Sequence, residues 1–432
     1  MKILVAGAGH GGLTAAALLS KQGHDVTVYE KKKREEIGYD WEDRFTFALL
    51  EDLTGKKIPE DSWRYRGDCA FISPSYKSSV IINYTDENRQ KIMQRKPLLN
   101  MLIEFASENN VRFEFENNVS LITEDDAVKG LSTAYGDVYA DLVIDACGVL
   151  SPLRSSLPEK YLVEKNLSKG ELFYVRRAYF NKTDSTLPDV PFEVYLCHDR
   201  EPGLSWCCVN DDSVDILIGR TEPVDKDKFD SCVSSFREKH PFIGEEIIHG
   251  GIYGTIPVRR CLSVMIAPGY AAAGDSAFMT TPMNGMGIDL SLNAGRILAE
   301  EIIKAGDCSI GTLWNYNKRF IKEYGAETAK NEGLKNSLLK MAESGIDFLF
   351  DNEVIQSSDL SGAGSDTSFS SLMGKFIRGM RNPKYFFALL GGLTAGAKLM
   401  KTMKNIPDNY NLSEIAGWCE KVKTASGKVS IS

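Results

Sequence analysis

The apolar positions in the first thirty residues predict a strand, a helix and a second strand. The buried-strand run Ile3–Ala6 is followed by a glycine-rich turn, and small and apolar residues then recur at helical spacing over Gly12–Gln22. A second apolar run, VTVY, ends at the acidic residue Glu30. A strand, a glycine turn, a helix and an acid-ended strand, in that order, are typical of the first βαβ unit of a parallel α/β sheet.

The turn has the spacing that binds a dinucleotide. Gly7, Gly9 and Gly12 fill the pattern G-x-G-x-x-G. Gly7 permits the tight turn, Gly9 lets backbone approach a pyrophosphate, and Gly12 lets the helix pack closely on the strand. The free N–H groups of the helix N-terminus favour the pyrophosphate, and Glu30 can accept both hydroxyls of an adenosine ribose. An acid at this position favours NAD or FAD over NADP, because it would repel a 2′-phosphate.

Further along the chain the pattern changes near Pro158. Residues 170–220 contain four strand-like runs that predict an antiparallel sheet, and the helix-rich pattern returns afterwards. The pentapeptide GGLTA occurs at 11–15 and again at 391–395, but the second copy lacks the G-x-G spacing and a following acid, so we interpret it as a coincidence. The predicted ranges are 1–157 for the first part of a dinucleotide-binding domain, 158–257 for an inserted antiparallel-sheet substrate domain, 258–330 for the second part of the dinucleotide-binding domain, and 331–432 for a helical C-terminal region.

Composition narrows the class of protein. The chain has 51 Lys and Arg against 59 Asp and Glu, a net charge of −8, which argues against nucleic acid as a partner. Its nine cysteines contain no C-x-x-C, which indicates reduced thiols and a cytoplasmic protein, and its five histidines have no ligand spacing, so no metal site is expected. Apolar residues begin almost at once after Met1, and no apolar run reaches the roughly 18–20 residues of a membrane span.

Three motifs in one order resemble a known superfamily. They are GAGHGG with Glu30, DACGVLSPLR at 145–154, and GDSAFMTTPMNGMGI at 274–288. Together they resemble the flavoprotein superfamily of p-hydroxybenzoate hydroxylase, and most closely its geranylgeranyl reductase branch, over roughly residues 1–330. The resemblance implies an α/β fold: a Rossmann-type FAD-binding domain with the inserted antiparallel sheet and the helical C-terminal region.

The resemblance also implies FAD as the cofactor and a set of residues that contact it. Asp275 would accept the ribityl hydroxyl, and the glycine loop would approach the isoalloxazine while the helix that follows it aims its dipole there. The motif DACGVLSPLR helps to hold FAD and NAD(P)H in the hydroxylases, whereas a structural role is the alternative here. The implied cofactor-binding residues are Gly7, Gly9, Gly11, Gly12, Glu30, Arg44, Arg95, Val119, Asp275, Pro282, Gly285, Gly287 and Ile288.

The substrate sheet keeps part of the reductase pattern. The reductases carry Y-x-W-x-F-P followed by G-x-G, and the run LSWCCVNDDSVDILIGR keeps Trp206 and Gly219 but has Leu204 in place of the tyrosine. The resemblance implies that Trp206 lines the substrate cavity, with a core tryptophan as the alternative. The loop after Glu30 also departs from the family, because YDWEDR replaces small residues there with the bulky Trp41 and the charged Arg44.

The predicted function is an FAD-dependent reductase that transfers hydride from flavin N5 to a C=C bond of a hydrophobic, isoprenoid-like molecule. The alternatives are a monooxygenase that uses NAD(P)H and O2, and a flavoprotein that only carries electrons. The electron donor is NAD(P)H or a protein, and no spacing singles out a catalytic proton donor. An apolar run at 384–400 with basic flanks fits either contact with a membrane surface or a buried helix.

Overall fold

The computed structural model describes residues 1–360 and 369–427. Among these residues no helix is long and apolar enough to cross a membrane. The helices are α1 (His10–Lys21), α2 (Phe47–Thr54), α3 (Arg95–Glu108), α4 (Pro152–Ser156), α5 (Lys226–Lys239), α6 (Ile288–Ala305), α7 (Ile310–Phe320), α8 (Ala326–Lys340), α9 (Glu343–Asp351), α10 (Ser357–Leu360), α11 (Phe369–Gly379), α12 (Pro383–Lys404) and α13 (Leu412–Ala425).

The strands form four sheets. They are β1 (Lys2–Ala6), β2 (Asp25–Tyr29), β3 (Glu42–Arg44), β4 (Trp63–Tyr65), β5 (Cys69–Ile72), β6 (Ser79–Ile82), β7 (Lys91–Gln94), β8 (Arg112–Glu114), β9 (Ser120–Glu124), β10 (Ala127–Thr133), β11 (Gly136–Tyr139), β12 (Leu142–Asp145), β13 (Leu172–Lys182), β14 (Phe192–Leu196), β15 (Gly203–Val209), β16 (Ser213–Arg220), β17 (Ile243–Pro257), β18 (Ile266–Ala267) and β19 (Tyr270–Ala272).

A six-stranded sheet of order β18-β19-β12-β1-β2-β8 carries the predicted βαβ unit. Its strands β19, β12, β1, β2 and β8 are parallel, and only β18 runs antiparallel. The strands are apolar on both faces because helices cover both sides of such a sheet, and Ile3–Ala6 are fully buried. The carboxyl ends of β1, β2 and β12 therefore meet at one edge, which is where ligands bind in this type of sheet.

The second large sheet has the order β17-β13-β16-β15-β14-β5-β6. All its neighbours are antiparallel except β14 and β5. Two of its strands, β5 and β6, come from within the range 1–157, so the chain contributes to this sheet before the insertion begins. The domain boundaries therefore stay a prediction, with these two strands as an addition. Two smaller sheets have the orders β11-β10-β9 and β3-β7-β4.

The two faces of the seven-stranded sheet have different neighbours. On one face, Ala178, Ile216 and Cys207 pack against Phe229 and Phe236 of α5 in one hydrophobic cluster. The opposite face packs against the segment between β2 and β3. There Trp41 is 3% exposed and lies in one cluster with Val175 and Leu217. This second face is the one that meets the parallel-sheet domain.

Helices α8 and α12 pack closely in the C-terminal region. A Cβ placed on Gly396 would lie 1.9 Å from the carbonyl oxygen of Lys330, and one on Gly392 would lie 2.9 Å from the carbonyl oxygen of Gly333. The glycines of the apolar run 384–400 thus permit close contact between two helices. The opposite side of α12 is exposed, with Phe387 56% accessible.

Candidate functional site

The glycine turn and the end of β2 meet at one edge of the parallel sheet. Gly7 has a φ of 90°, and a Cβ there would lie 2.5 Å from the carbonyl oxygen of Ala146. The Glu30 carboxylate accepts hydrogen bonds from the backbone N–H of Ala8 at 2.8 Å and of Lys32 at 2.9 Å. Both donors hold the carboxylate beside the turn, and its remaining lone pairs can accept ribose hydroxyls.

The first turn of α1 touches the loop that carries Asp275. A Cβ on Gly11 would lie 3.4 Å from the backbone nitrogen of Gly274. The Asp275 carboxylate receives no hydrogen bond from any residue in the described ranges, and burial raises its pKa to about 6, against the opposing charge of Arg95. A hydroxyl-bearing ligand can supply the donor that this recessed carboxylate lacks within the protein. The residues present therefore fit FAD, whose ribityl chain would supply that hydroxyl.

The glycine loop before α6 lies beside the same carboxylate. A Cβ on Gly287 would lie 3.5 Å from Oδ1 of Asp275. Gly285 has a φ of 69°, and a Cβ there would lie 2.8 Å from the side chain of Ile256 on β17. Helix α6 begins at Ile288, and no side chain caps its N-terminus. The loop therefore joins the carboxylate, an uncapped helix N-terminus that favours negative charge, and the seven-stranded sheet.

Arg95, the first residue of α3, is held by the loop after Glu30. Its backbone N–H donates to the Trp41 carbonyl at 2.8 Å, and its Nε donates to Oδ2 of Asp43 at 2.7 Å. Burial would raise the pKa of Asp43, but the charges of Arg95 and Arg177 outweigh burial and hold this pKa below its ordinary value. Burial, with the charge of Arg95, lowers the pKa of His10 to about 3, so this imidazole is neutral.

A buried ion pair on the seven-stranded sheet holds the same loop from the other side. Arg177 donates to both carboxylate oxygens of Asp215, at 2.8 and 2.7 Å, and to the Glu42 carbonyl at 2.8 Å. The Glu42 N–H donates to the Tyr179 hydroxyl at 2.9 Å. Arg177 also lies 4.0 Å from Asp43. Charges of alternating sign thus run from the sheet through the loop to Arg95.

The motif DACGVLSPLR supports the Asp275 loop from inside. The Asp145 carboxylate accepts from the Ser151 hydroxyl at 2.5 Å and from the Tyr270 hydroxyl at 2.7 Å. Arg154 donates to the Ser276 carbonyl at 2.6 Å. These side chains are buried, and their bonds connect β12, α4 and the residue after Asp275. The structural role is therefore the one that these contacts support.

The structure places the predicted cofactor residues in three groups. The adenosine group lies at the turn, where the Asn117 N–H donates to the Glu30 carbonyl and Val119 follows in the same loop. The flavin group comprises Arg95, Asp275 and the loop before α6. Arg44 stands apart on β3, exposed, beside a separate cavity. The adenosine group contains Gly7, Gly9, Gly11, Gly12, Glu30 and Val119, and the flavin group contains Arg95, Asp275, Pro282, Gly285, Gly287 and Ile288.

Trp206 lies on the face of the seven-stranded sheet that meets Trp41. Its indole N–H is buried and has no acceptor among the described residues, and the same holds for the indole N–H of Trp41. The guanidinium of Arg177 lies 5.1 Å from the Trp206 ring. The Trp206 ring also packs edge-on against Phe192 at 5.9 Å. The substrate-lining role therefore stays a prediction, with a core tryptophan as its alternative.

Sequence reasoning missed Asp43, Arg177 and Asp215. Arg177 and Asp215 lie on different strands, 38 residues apart, so their pairing is set by the register of β13 and β16. The alternation of side chains along a strand could have identified Arg177 and Asp215. Both lie at the alternate positions that face Trp41 rather than α5. A charged residue at such a position, in an otherwise apolar run, requires a partner.

The fold is similar to that of solved FAD-dependent enzymes. Residues 5–44 match the NAD(P)-binding Rossmann-like domain family. Over 97% of its length the chain is 24% identical to the digeranylgeranylglycerophospholipid reductase of Sulfolobus acidocaldarius, of which 96% is covered.

Two solved structures are similar to the chain in fold. A geranylgeranyl bacteriochlorophyll reductase-like protein from Thermoplasma acidophilum superposes with a TM-score of 0.72 at 19% identity, covering 90% of this chain and 98% of that one. A probable FAD-dependent monooxygenase from Pseudomonas aeruginosa superposes with a TM-score of 0.58 at 18% identity, covering 80% and 99%. These similarities confirm the resemblance and the fold class predicted from the sequence, and they support the predicted FAD-dependent oxidoreductase. The individual site residues stay predictions.

Proposed function

We propose that this protein is an FAD-dependent reductase of C=C bonds in a hydrophobic, isoprenoid-like substrate. The observation that carries the proposal is the similarity to a digeranylgeranylglycerophospholipid reductase over nearly the whole of both chains. The cluster of Val175, Leu217 and Trp206 against Trp41 supports it, and this cluster surrounds the Arg177–Asp215 ion pair on the same face of the sheet. Apolar side chains of this kind suit a hydrocarbon substrate.

The chain's own residues would bind and orient both reactants. Glu30 and the first turn of α1 would hold the adenosine and pyrophosphate, and Asp275 the ribityl chain. The N-terminus of α6 would favour negative charge at the end of the flavin nearest Gly287. When bound, FAD would supply the hydride chemistry. The seven-stranded sheet would place the double bond and exclude water. No described side chain is assigned as the proton donor.

Anaerobic reduction followed by substrate addition tests this proposal. The purified holoprotein is reduced by NADH, NADPH or dithionite and then mixed with a geranylgeranyl lipid. We expect the flavin to reoxidise without O2 and the lipid to gain hydrogen by mass spectrometry. A lipid that stays unsaturated while the flavin stays reduced would contradict the proposal. Reduction by dithionite alone, followed by turnover, would exclude both nucleotides as the donor.

The second candidate is a monooxygenase, and the similarity in fold to the Pseudomonas aeruginosa protein favours it. The two functions differ in what O2 does to the reduced protein. A monooxygenase transfers oxygen to its substrate, whereas a reductase needs no O2 for turnover. Product analysis under ¹⁸O2 separates them: label in the product supports the monooxygenase, and saturation without label supports the reductase.

We infer further that Trp206 contacts the substrate. Trp206→Phe keeps an aromatic ring on the sheet but removes the unpaired indole N–H. We expect FAD content to stay unchanged and KM for the lipid to rise. Leu204→Ile, on the same face of β15, is the matched control. Loss of FAD or of folding in Trp206→Phe would instead make Trp206 a core residue.

We also infer that α11 and α12 touch an anionic membrane surface. Phe376, Ile377, Phe387 and Leu393 expose 47, 62, 56 and 49% of their surfaces. Basic residues lie on the same two helices, among them Lys384. Exposed apolar rings beside cations are typical of interfacial helices, which would place a lipid substrate near the protein.

Vesicle flotation tests the membrane contact. Ile377→Glu with Phe387→Glu should abolish flotation with vesicles containing anionic lipid. Tyr135→Glu, at an 87% exposed residue of another sheet, should leave flotation unchanged. Absence of flotation in the unmodified protein would remove the membrane from the proposal and leave the reductase proposal intact.

A further inference from the structure

A second group of charged side chains lies outside the site described above, on the small sheet β3-β7-β4. A cavity of about 220 Å³ is lined by Arg44, Phe45, Phe47 and residues 88–91. Arg44, Arg89 and Lys91 bring three positive charges to it, and no acid of the described ranges forms an ion pair with any of the three. Glu51 interacts with Lys91 only through space, without an ion pair. The three cations that line the cavity therefore repel one another, and an anionic ligand would relieve the repulsion.

Neighbouring cations contrast with these three. Arg64 pairs with Glu42 and Asp212, and Lys57 pairs with Glu51 at 2.8 Å. The nearby acids are therefore engaged elsewhere. The positive charge at the cavity is local, because the chain as a whole carries −8.

Aromatic rings hold the cations in place. The Lys91 ammonium lies 4.3 Å from the centroid of Trp63 and 5.6 Å from that of Phe47. The Arg89 guanidinium lies 5.4 Å from the ring of Tyr65. Rings attract cations by their faces but do not neutralise them, so an anion can bind the same groups from the cavity side.

We propose that this cavity binds the phosphate of a phosphate-bearing ligand through Arg44, Arg89 and Lys91. Two guanidinium forks and an ammonium match the several terminal oxygens of a phosphate monoester or diphosphate. Arg44 is the last residue of β3 and Lys91 is the first residue of β7, and these two strands pair in antiparallel register. The bound phosphate would therefore lie at this end of the small sheet, where both side chains line the cavity. This site goes beyond the proposed reductase activity and does not depend on it.

Calorimetric titration of the holoprotein with inorganic pyrophosphate at low salt tests the site. Arg89→Gln with Lys91→Gln should weaken binding about ten-fold or more, since two charge-assisted contacts to the phosphate are lost. Lys21→Gln with Lys77→Gln, two cations elsewhere that form no ion pair in the described ranges, is the control with the same loss of charge. Arg89→Gln alone replaces the double variant if circular dichroism shows that the double variant is unfolded.

The outcomes decide the proposal and the source of the phosphate. Equal weakening in variant and control, or no binding by the unmodified protein, overturns it. Displacement of pyrophosphate by NADPH but not by NADH identifies a nucleotide 2′-phosphate. Displacement by geranylgeranyl diphosphate but not by geranylgeraniol identifies the diphosphate of a lipid. Displacement by none of these means an adventitious ion only and also overturns the proposal.

Discussion

The pentapeptide GGLTA forms helix at both of its positions, but the two helices use it differently. In α1 a Cβ on Gly12 would lie 2.6 Å from the Cβ of Ala146, beside the nucleotide-binding edge. In α12 a Cβ on Gly392 would lie 2.6 Å from the Cβ of Ser337, in the middle of a 22-residue helix. Each copy therefore uses its second glycine for close packing. Only the first copy follows a G-x-G turn, and its helix N-terminus offers free N–H groups.

The comparison shows what a short glycine motif can and cannot specify. Close packing needs only the absent Cβ, and both copies provide it. Nucleotide binding also needs the turn at Gly7, the start of a helix and an acid such as Glu30 near by. Four predictions test this distinction, beginning with the acid that the second copy lacks.

The largest effect on cofactor affinity is expected for Glu30→Ala. The variant removes the acceptor for two ribose hydroxyls, worth about 1.5–3 kcal/mol each before solvent compensation. It also leaves the Ala8 N–H without its partner at 2.8 Å. We expect FAD affinity to fall at least ten-fold, about 1.4 kcal/mol, in fluorescence titration of the apoprotein. Unchanged affinity would mean that the first copy binds no adenosine.

The next prediction concerns Asp275, whose pKa burial raises to about 6 from an ordinary 3.8. Because this folded-state pKa lies above the unfolded value, the ionised carboxylate destabilises the apoprotein above pH 6. The contribution of this one carboxyl to stability should rise as pH falls from about 7 towards 4, by at most about 3 kcal/mol. Asp275→Asn should remove that rise when unfolding midpoints are compared across pH. A parallel pH dependence in both proteins would contradict the shifted pKa.

A smaller effect separates packing from nucleotide binding. Gly12→Ala and Gly392→Ala should each destabilise by about 1–3 kcal/mol, because each new methyl overlaps a neighbouring side chain. FAD affinity should fall in Gly12→Ala alone. Urea unfolding and FAD titration on both variants provide the two measurements. Loss of FAD affinity in Gly392→Ala as well would show that affinity follows overall stability, not the turn.

Local pattern was sufficient for the parts of the fold that sequence predicted. The βαβ unit depends on spacing within a few residues. The position of β5 in the seven-stranded sheet instead follows from pairing with β14, more than a hundred residues later. Local sequence patterns cannot predict that pairing, because long-range register is set by tertiary packing.

The candidate site likewise contains residues that local pattern predicts and residues that it does not. Gly7, Glu30 and Gly287 are visible because backbone conformation restricts the residue type at each position. Arg177 and Asp215 belong to no motif, and only the folded sheet brings them to the loop of Asp43. The sequence shows that YDWEDR departs from the family pattern, but it does not show which residues this segment contacts. Its Asp43 pairs with Arg95 and lies near Arg177, and its Trp41 packs against Val175 and Leu217 of the seven-stranded sheet.

The smallest predicted effect is also the most discriminating. Substitution of the first glycine by alanine should change stability in opposite directions in the two copies. The first glycine of the second copy, Gly391, is exposed, and a Cβ there would meet nothing within 4 Å. Gly391→Ala should therefore stabilise the protein by about 0.5–1 kcal/mol, the helix-propensity difference between the residues.

The first glycine of the first copy, Gly11, is buried, and its Cβ would lie 2.8 Å from the carbonyl oxygen of Ser291. Gly11→Ala should destabilise, because that backbone oxygen cannot rotate away as a side chain would. Denaturant midpoints for the two variants, measured side by side, decide the matter. The same sign in both would mean that helix propensity outweighs the contact at Ser291, and that the first copy tolerates a Cβ at the cofactor edge.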